Sequence, residues 1–334
     1  MNQLRETDEP VEEAVPALSV VMPAFNAEKY VERAVESILK QTFQDLELVI
    51  VDDASTDGTL EIIERLAAAD ARIRVVPSEQ NLGVAAATNL GVSKTRADFI
   101  GRMDADDISD PTRFEKQIAV LRANPHFAVV GSFASHTNDR GQVLSLSPTG
   151  PRSEAQFDDL RLRGETTMVF GGTALFRRHL FEKAGGYDPS IGSGEDVELF
   201  DRMSDLGPIV SIPEPLLLYR LHQTSLVRRT FLDGRRVHRF IKARRVAQAA
   251  GQELDLASYV TLEQNRPLLH RIRVALDDQS QLHYREAGMA YGNSDWGRFV
   301  GLLLLALAAN PVFVVRRLWN QRFSAAARAQ TDAR

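Results

Sequence analysis

The 334-residue sequence contains no cysteine. Disulfide bonds and thiolate metal sites are therefore excluded, and the composition suits a reducing compartment. Neither Gly-x-Gly-x-x-Gly after the first apolar run nor Gly-x-x-x-x-Gly-Lys-Ser/Thr is present, which argues against a dinucleotide-binding site and a P-loop NTPase. The apolar run at residues 299–309 is 11 residues long and falls short of the roughly 18–20 residues that a membrane span requires.

Charge is divided unevenly along the chain. Residues 1–219 carry 21 Lys and Arg against 36 Asp and Glu, whereas residues 220–334 carry 19 against 9. The two balances, −15 and +10, agree with the total of −5. An acidic first part followed by a basic part predicts a unit that handles a cation or substrate and a region that meets an anionic surface. Residues 1–16 are acidic without an apolar core, so we expect a mobile tail and neither a signal nor a transit peptide.

Apolar runs alternate with helical periodicity through the first half of the chain. The runs at residues 18–22, 46–51, 72–76 and 98–103 are typical of buried strands, and stretches of helical spacing separate them. This alternation predicts an α/β fold with a mostly parallel sheet flanked by helices. Farther along, residues 141–165 are polar and rich in turn residues and predict a flexible loop, and residues 208–221 predict two short strands.

Polar residues follow three of these predicted strands. They are Pro23 to Asn26, the pair Asp52-Asp53, and the acidic motif Asp104-Ala105-Asp106-Asp107. Each taken alone is also typical of a solvated turn. Ligands of parallel sheets bind at the carboxyl ends of the strands, so the three segments together predict one crevice. Clustered carboxylates repel unless a cation lies between them, and hard divalent ions prefer oxygen ligands.

Seven stretches, in order from about Leu18 to His222, resemble family 2 glycosyltransferases with the GT-A fold. Each stretch is weak evidence by itself, whereas their ordered combination is specific. They are Ser19–Asn26, Gln41–Phe43, Val51–Thr59, Asn81–Gly83, Met103–Asp107, Gly185–Asp188 and Gly194–Leu199.

The resemblance implies how the nucleotide of a sugar nucleotide would be bound. The loop from Pro23 to Asn26 would lie under the nucleotide, with Phe25 stacked on the base. Asp53 would accept a hydrogen bond from the base imide, and Asp52 is the secondary candidate for this contact.

The resemblance also implies the roles of the acidic motifs. Asp104 and Asp106 would form the DxD motif, with Asp104 on the ribose or sugar and Asp106 on a Mg²⁺ or Mn²⁺ ion that bridges the diphosphate. Asp196 would be the general base, with Glu195 beside it as a secondary candidate. His222 would assist at the metal or the diphosphate.

One position departs from the pattern of many family members. They carry Arg just before the Asn of the helix that begins near Gly83, and this chain has Thr88 there. A diphosphate contact from that helix is therefore in question. Arg102 and Arg220 are the substitutes that we consider, and Arg102 is our candidate for the nucleotide sugar.

These motifs predict a metal-dependent inverting glycosyltransferase that acts in cell-surface polysaccharide synthesis. The donor would be a sugar nucleotide of the UDP or dTDP type, and the acceptor would be a hydroxyl of a glycan or a lipid-linked molecule. A divalent ion offsets the charge that develops on the diphosphate, and a carboxylate takes the acceptor proton. The alternative is a catalytically silent protein that binds sugar nucleotides or serves as a scaffold. A sugar nucleotidyltransferase is disfavoured because its Gly-rich phosphate loop is missing.

The division of the chain follows from the same patterns. We expect a GT-A domain at residues 17–225 and a helical, basic and amphipathic region at 226–334. Residues 228–245 are rich in arginine, and residues 299–319 are apolar with a Pro break and flanking arginines. Both segments suit peripheral contact with a membrane interface. Similar family members often have such tails and act at the cytoplasmic face, so the resemblance implies a cytoplasmic protein at the inner face of the membrane. A solvated helix face, burial in the core and an oligomer contact are the alternatives, and nucleic-acid binding has no motif support.

Overall fold

The computed structural model describes residues 15–138, 141–221, 231–292 and 294–323. Nine strands in this part of the chain form a single sheet. In chain order they are β1 (Leu18–Ala24), β2 (Leu46–Asp52), β3 (Ile73–Pro77), β4 (Phe99–Arg102), β5 (Ile108–Ser109), β6 (Val129–Thr137), β7 (Val143–Ser147), β8 (Leu175–Arg177) and β9 (Ile209–Arg220).

The helices fall into two groups along the chain. Those interspersed with the strands are α1 (Val31–Leu39), α2 (Thr59–Ala69), α3 (Val84–Lys94), α4 (Arg113–Ala123), α5 (Glu154–Leu162), α6 (Arg178–Lys183) and α7 (Glu195–Met203), with a short 3₁₀ turn at Gly171–Thr173. Those that follow the last strand are α8 (Phe231–Ala249), α9 (Leu256–Gln264), α10 (Leu268–Gly292), α11 (Trp296–Ala309) and α12 (Pro311–Phe323).

The sheet is parallel in one half and mixed in the other. Strands run in the order β3-β2-β1-β4-β8-β6-β9-β5, and β7 pairs with β6. The first four are mutually parallel, β8 is antiparallel to both of its neighbours, and β9 is parallel to β6. Ala24 pairs with Asp52, and Val21 pairs with Arg102, so the carboxyl ends of β1, β2 and β4 meet at one edge. The predicted α/β sheet flanked by helices is confirmed, with antiparallel strands added to its parallel half.

Two cores cover the two faces of the sheet, as the alternation along β1 shows. Val20 and Met22 pack into the core on the side of α1, whereas Val21 packs into the other core with Val92 of α3 and Phe200 of α7. Full burial of each such side chain contributes about 1.5–3 kcal/mol. The crevice at the strand ends therefore lies on a scaffold that is packed on both faces.

Two predictions about irregular segments were wrong. The predicted pair of strands at 208–221 is one long strand, β9 (Ile209–Arg220), because it pairs with β6 along its whole length, across a register shift between Ser132 and Phe133. This irregularity accommodates Pro213 and Pro215, which lack the N–H that a regular ladder needs. The polar stretch at 141–165 contains strand β7 and helix α5 and is not a plain loop.

Helix α8 packs the C-terminal helices against the half of the chain that contains the sheet. Val237 packs in one hydrophobic cluster with Val197 of α7. Arg244 donates to Asp201 at 2.8 Å and also pairs with Glu198, and both carboxylates are buried. Much of the basic charge predicted for an anionic surface is thus used inside the protein. Two further arginines of α8, Arg235 and Arg239, pair with carboxylates of α10.

The apolar segment near residue 300 forms a bent pair of helices. The chain bends by 120° between α11 and the first part of α12, at the break at Asn310. Among the described residues no single helix is both long and apolar enough to cross a bilayer, and only this bent pair reaches that length and composition together.

Candidate active site

Hydrogen bonds connect the loop after β1 to the turn after β2. Asn26 adopts a positive φ of 50°, its backbone N–H donates to the Ser55 hydroxyl at 3.0 Å, and its side-chain oxygen accepts from the Thr56 N–H at 2.8 Å. Pro23 lies half-buried near the end of β1, and Phe25 is 49% exposed. Asn26 therefore shapes the loop, and the aromatic ring of Phe25 stands open at the crevice.

Asp53 and Asp52 differ in how their carboxylates are used. Both carboxylates are buried, and the two oxygens of Asp53 accept from the backbone N–H groups of Leu82 at 2.7 Å and Gly83 at 2.9 Å. Asp52 accepts from the Ser55 N–H, and its second oxygen has no hydrogen-bond partner among the described residues. Asp53 thus orders the loop before α3, whereas Asp52 keeps an unpartnered acceptor.

Arg102 links the DxD motif to the start of α7. Its guanidinium lies 3.3 Å from the Asp104 carboxylate and 3.4 Å from the Glu195 carboxylate, and it packs over the Tyr187 ring. The side chain of Arg102 is 6% exposed. In this arrangement Arg102 holds two carboxylates in place, and its contact with the nucleotide sugar stays a prediction.

Arg220 stabilises the same acidic turn from the end of β9. Its backbone N–H donates to the Asp107 carboxylate at 2.9 Å, and its guanidinium donates to the Asp106 carbonyl at 3.0 Å. The other oxygen of Asp107 is buried without a hydrogen-bond partner among the described residues. Asp106 is half-buried at the turn. His222, our other candidate metal ligand, lies outside the described residues.

The Gly171–Thr173 turn brings Asp104 and Asp196 to one place. A methyl group on Gly171 would lie 3.0 Å from the Asp196 Cγ and closer still to its Oδ2. A methyl group on Gly172 would lie 3.1 Å from Asp104 Oδ2 and 3.5 Å from Asp107 Oδ2. Only glycine leaves room for both carboxylates, so the two acidic motifs, which are about ninety residues apart in sequence, flank one short turn.

Helix α7 begins at Glu195 and orients Asp196. The turn before it ends at Gly194, which adopts a left-handed conformation with a φ of 80°. One Asp196 oxygen accepts from the Val197 N–H at 2.7 Å, and the other faces Gly171. The positive end of the helix dipole favours carboxylates in this first turn.

Burial and mutual repulsion shift the pKa values of the acidic groups. Burial, together with the neighbouring Asp196 charge, raises the pKa of Glu195 to about 7 although Arg102 opposes the shift. Burial and the charges of Asp106 and Asp196 also raise the pKa of Asp104, despite Arg102. Burial raises the pKa of Asp107 well above its usual range, and Asp106 and Asp104 add to this shift. The crevice therefore concentrates negative charge.

The oxygen donors of this crevice fit a hard divalent cation that is shared with a substrate. Asp104 and Asp107 each direct one oxygen toward Gly172, and that of Asp107 is unpartnered among the described residues. In the described ranges no set of three or more His, Asp and Glu side chains is arranged to hold a metal alone. Mg²⁺ commonly takes one or two carboxylates and completes its shell with phosphate oxygens and water. The acidic turn matches that mode of binding.

Comparison with known proteins identifies the family of the chain. The family described as glycosyl transferase family 2 matches residues 19–185. An uncharacterised glycosyltransferase of Haemophilus influenzae is 32% identical over 227 residues, which cover 64% of this chain and 69% of that protein. The chain belongs to glycosyl transferase family 2.

Further relatives and solved structures agree with this family. Over 198 residues the glycosyltransferase is 31% identical to a chondroitin synthase of Escherichia coli, a match that covers 59% of this chain and 28% of that one. It shares its fold with S. aureus TarS 1-349 in complex with UDP-GlcNAc, with a TM-score of 0.54 and 17% identity. The match covers 86% of this chain and 90% of that chain. Its fold also resembles that of mannosyltransferase PcManGT of Pyrobaculum calidifontis in complex with GDP-Man and Mn²⁺, with a TM-score of 0.54 and 19% identity. This match covers 96% of this chain and 84% of that chain.

The comparisons confirm three predictions: the family, the GT-A fold and the glycosyltransferase class. The roles of individual side chains stay predictions. Sequence reasoning missed Arg113 and Gln117 of α4, which are completely buried under the acidic turn. Their spacing of four residues on one helix face was the available signal, but a buried arginine cannot be told from a solvated one by spacing.

Proposed function

We propose that this glycosyltransferase moves a sugar from a nucleoside diphosphate sugar to a hydroxyl of a glycan or lipid-linked acceptor, with inversion at the anomeric carbon. The observation that carries the proposal is the shared position of Asp196 and Asp104 on the Gly171–Thr173 turn. Asp104 would bind the donor sugar or ribose, and Asp196 would accept the proton of the attacking hydroxyl. Both groups would then face one reacting carbon.

The chemistry needs one base and no carboxylate nucleophile. Asp196 takes the acceptor proton while the hydroxyl oxygen attacks the anomeric carbon from the face opposite the diphosphate. Because the displacement is a single step, the configuration inverts. The free oxygen of Asp196 beside Gly171 is available for that proton, since only its other oxygen is bonded to the backbone of α7.

A divalent ion completes the donor site in this proposal. Asp106 would hold Mn²⁺ or Mg²⁺ at the acidic turn, beside the oxygens of Asp104 and Asp107 that face Gly172. The ion would neutralise the charge that develops on the departing diphosphate. If this is correct, EDTA abolishes nucleotide release from the donor and added Mn²⁺ restores it. Full turnover in EDTA would remove the metal from the mechanism.

We propose a UDP-sugar or a dTDP-sugar as the donor. Uracil and thymine carry one imide N–H, and either Asp53 or the unpartnered oxygen of Asp52 can accept it. Phe25 would cover the base. A thermal-shift panel of UDP-, dTDP- and GDP-sugars with Mn²⁺ tests this assignment, and stabilisation by the GDP-sugars alone would exclude it.

The decisive experiment on the enzyme uses Asp196→Asn. Asparagine keeps the shape of the side chain but cannot accept the proton, so nucleotide release from the donor should fall by about 10³-fold while the donor still raises Tm. Asp159→Asn on the exposed face of α5 is the matched control, and it should behave as wild type. If Asp196→Asn keeps full turnover, Asp196 is not the base. If wild type binds the donor but never turns it over, the alternative of a silent binding protein holds.

The relatives suggest the acceptor class, and the C-terminal helices suggest where the acceptor is met. The chondroitin synthase relative builds a polysaccharide, so we propose an acceptor in cell-surface polysaccharide synthesis. Exposed arginines, Arg298, Arg316 and Arg317, flank apolar side chains of α11 and α12. The large exposed apolar side chains of these two helices include Val300, Leu304, Leu305, Val312 and Val315.

We propose that this surface of α11 and α12 rests on an anionic membrane interface, which would place the protein at the cytoplasmic face. Co-sedimentation with anionic and neutral liposomes tests the contact. Leu304→Glu combined with Val315→Glu should release the protein from anionic vesicles without loss of turnover. Equal recovery in the supernatant with and without anionic vesicles would refute the contact, and a change in oligomeric state in the variant would favour an interface between copies.

A further inference from the structure

Arg113 is a buried arginine that no part of the proposed mechanism uses. It is 0% exposed at the start of α4 and lies directly beneath the DxD strand end. Its guanidinium donates to the Arg102 carbonyl at 2.7 Å and to Gln117 Oε1 at 3.1 Å, and it lies 3.5 Å from the Met103 sulfur. Among the described residues no carboxylate comes within ion-pair distance of it. A cation so completely desolvated is costly unless opposite charge is near.

The nearest opposite charge belongs to the acidic turn itself. The guanidinium contacts residues 102 and 103, directly before the acidic turn, and the charges of Asp107 and Asp104 in that turn act on it. Asp107 is 1% exposed and has one oxygen without a hydrogen-bond partner among the described residues. Burial lowers the pKa of Arg113 to about 9, whereas the charges of Asp107 and Asp104 favour its charged form. The buried cation and the crowded carboxylates thus compensate each other.

Gln117 extends this arrangement to the second half of the site. It is 0% exposed, and its amide nitrogen donates to the Thr173 carbonyl at 2.7 Å and the Val130 carbonyl at 2.9 Å. Its amide oxygen accepts from Arg113. The pair therefore connects the end of β4, before Asp104, to the turn whose Gly171 contacts Asp196. Three hydrogen bonds inside the core, from Arg113 to the Arg102 carbonyl, from Arg113 to Gln117 and from Gln117 to the Thr173 carbonyl, join the two acidic motifs.

We infer that Arg113 is a fixed internal cation that neutralises Asp107 and Asp104 and, with Gln117, holds the acidic turn at its working distance from the Gly171–Thr173 turn. Arg113 is thus a positioning residue. It allows three crowded carboxylates to fold before any divalent ion or diphosphate arrives. The consequence for donor binding rests on the proposed function, whereas the charge compensation does not.

A double-mutant cycle on stability tests the compensation without any substrate. Arg113→Met should lower Tm by about 5–10 °C, because it removes the buried cation that faces Asp107 and leaves Arg220 as the other neighbouring cation. Asp107→Asn should also lower Tm in the wild-type background. In the Arg113→Met background, however, Asp107→Asn should cause no further loss and should recover part of the first one. If the two losses simply add, Arg113 does not compensate Asp107 and the inference fails.

Arg177 provides the matched control. It is also a partly desolvated arginine that donates to backbone carbonyls, at Leu121 and Phe127, and it has no carboxylate partner among the described residues. Arg177→Met should lower Tm. In the Arg177→Met background, Asp107→Asn should lower Tm by as much as it does in wild type. Where Arg113→Met does not fold, Arg113→Lys replaces it. Lysine keeps the charge, so the decrease in Tm should be smaller for Arg113→Lys than for the double variant Arg113→Met/Asp107→Asn. The reverse order would overturn the inference.

A titration with Mn²⁺ separates this inference from the proposed function. In Arg113→Met an external cation takes over the compensation, so saturating Mn²⁺ should raise Tm by several degrees more than in wild type, and Arg177→Met should match wild type. Equal shifts in Arg113→Met and wild type would contradict the inference. If Mn²⁺ shifts none of the proteins, the proposed metal site is wrong, and the double-mutant cycle alone decides the role of Arg113.

Discussion

Gly171→Ala would disturb the proposed base without disturbing the fold. The new methyl group would lie 3.0 Å from the Asp196 Cγ and still closer to one carboxylate oxygen, which is an impossible contact. The obstacle is the end of a side chain and not the backbone, and Gly171 does not adopt a positive φ. The carboxylate should therefore turn away by about 1 Å while the turn keeps its shape. A displacement of that size costs about 100-fold in rate, or about 2.7 kcal/mol in the activation free energy.

The assay for Gly171→Ala measures nucleotide release at saturating donor together with Tm and the donor-induced thermal shift. We expect kcat to fall by about 100-fold, with Tm within about 2 °C of wild type and the donor shift retained. Gly172→Ala is the companion variant, because its methyl group would press on Asp104 and should raise the donor KM more than it lowers kcat. Gly192→Ala is the control, since no atom lies within 4 Å of the added methyl group. Wild-type kcat in Gly171→Ala would refute the placement of Asp196 at the reacting atoms.

Three further predictions concern the side chains around the site. The pKa of Glu195 is raised from 4.5 to about 7. The stability that its protonated form provides is therefore complete below about pH 4.5 and is lost as the pH rises through 7. Without metal, Tm should fall over that pH range, and Glu195→Gln should flatten the dependence of Tm on pH. Arg244→Met removes one of two arginines from each of the buried carboxylates Glu198 and Asp201, which keep Arg202 and Arg245, and this should cost about 2 kcal/mol in urea unfolding and lower kcat through the displaced α7. Asp53→Asn sets an amide N–H against a backbone N–H of the loop before α3, which should displace this loop. The KM for the sugar nucleotide should then rise about tenfold. An unchanged KM would argue that the loop does not contact the sugar nucleotide.

The parallel half of the fold could be predicted from local pattern. Each of its strands is a short apolar run that ends in polar residues, and the runs are joined by helices of regular period. The later strands were harder to predict, because β9 crosses an irregular register with two prolines and because β7 and α5 occur in a polar stretch. Their secondary structure depends on pairing with β6 and packing on the sheet, which no local pattern encodes.

Candidate side chains were easier to predict than their partners. Asp53, Asp104 and Asp196 were chosen from the sequence, and the structure places the last two at one turn. Arg102 was chosen as a contact for the donor, yet it lies between Asp104 and Glu195. An arginine at a strand end has the same local sequence whether it faces solvent or a second acidic motif. Which of the two it meets is set by strand β8 and the start of α7.

The sequence by itself determined the elements and the chemistry: an α/β chain without cysteine, with carboxylates at the strand ends and the ordered motifs of one glycosyltransferase family. Only the tertiary structure decided how those carboxylates share their space. It placed Gly171 and Gly172 between Asp196 and Asp104, and it placed a buried Arg113 under the turn. The reason is physical, because spacing along the chain records which groups are present, whereas charge compensation depends on distance and burial across elements that are far apart in sequence.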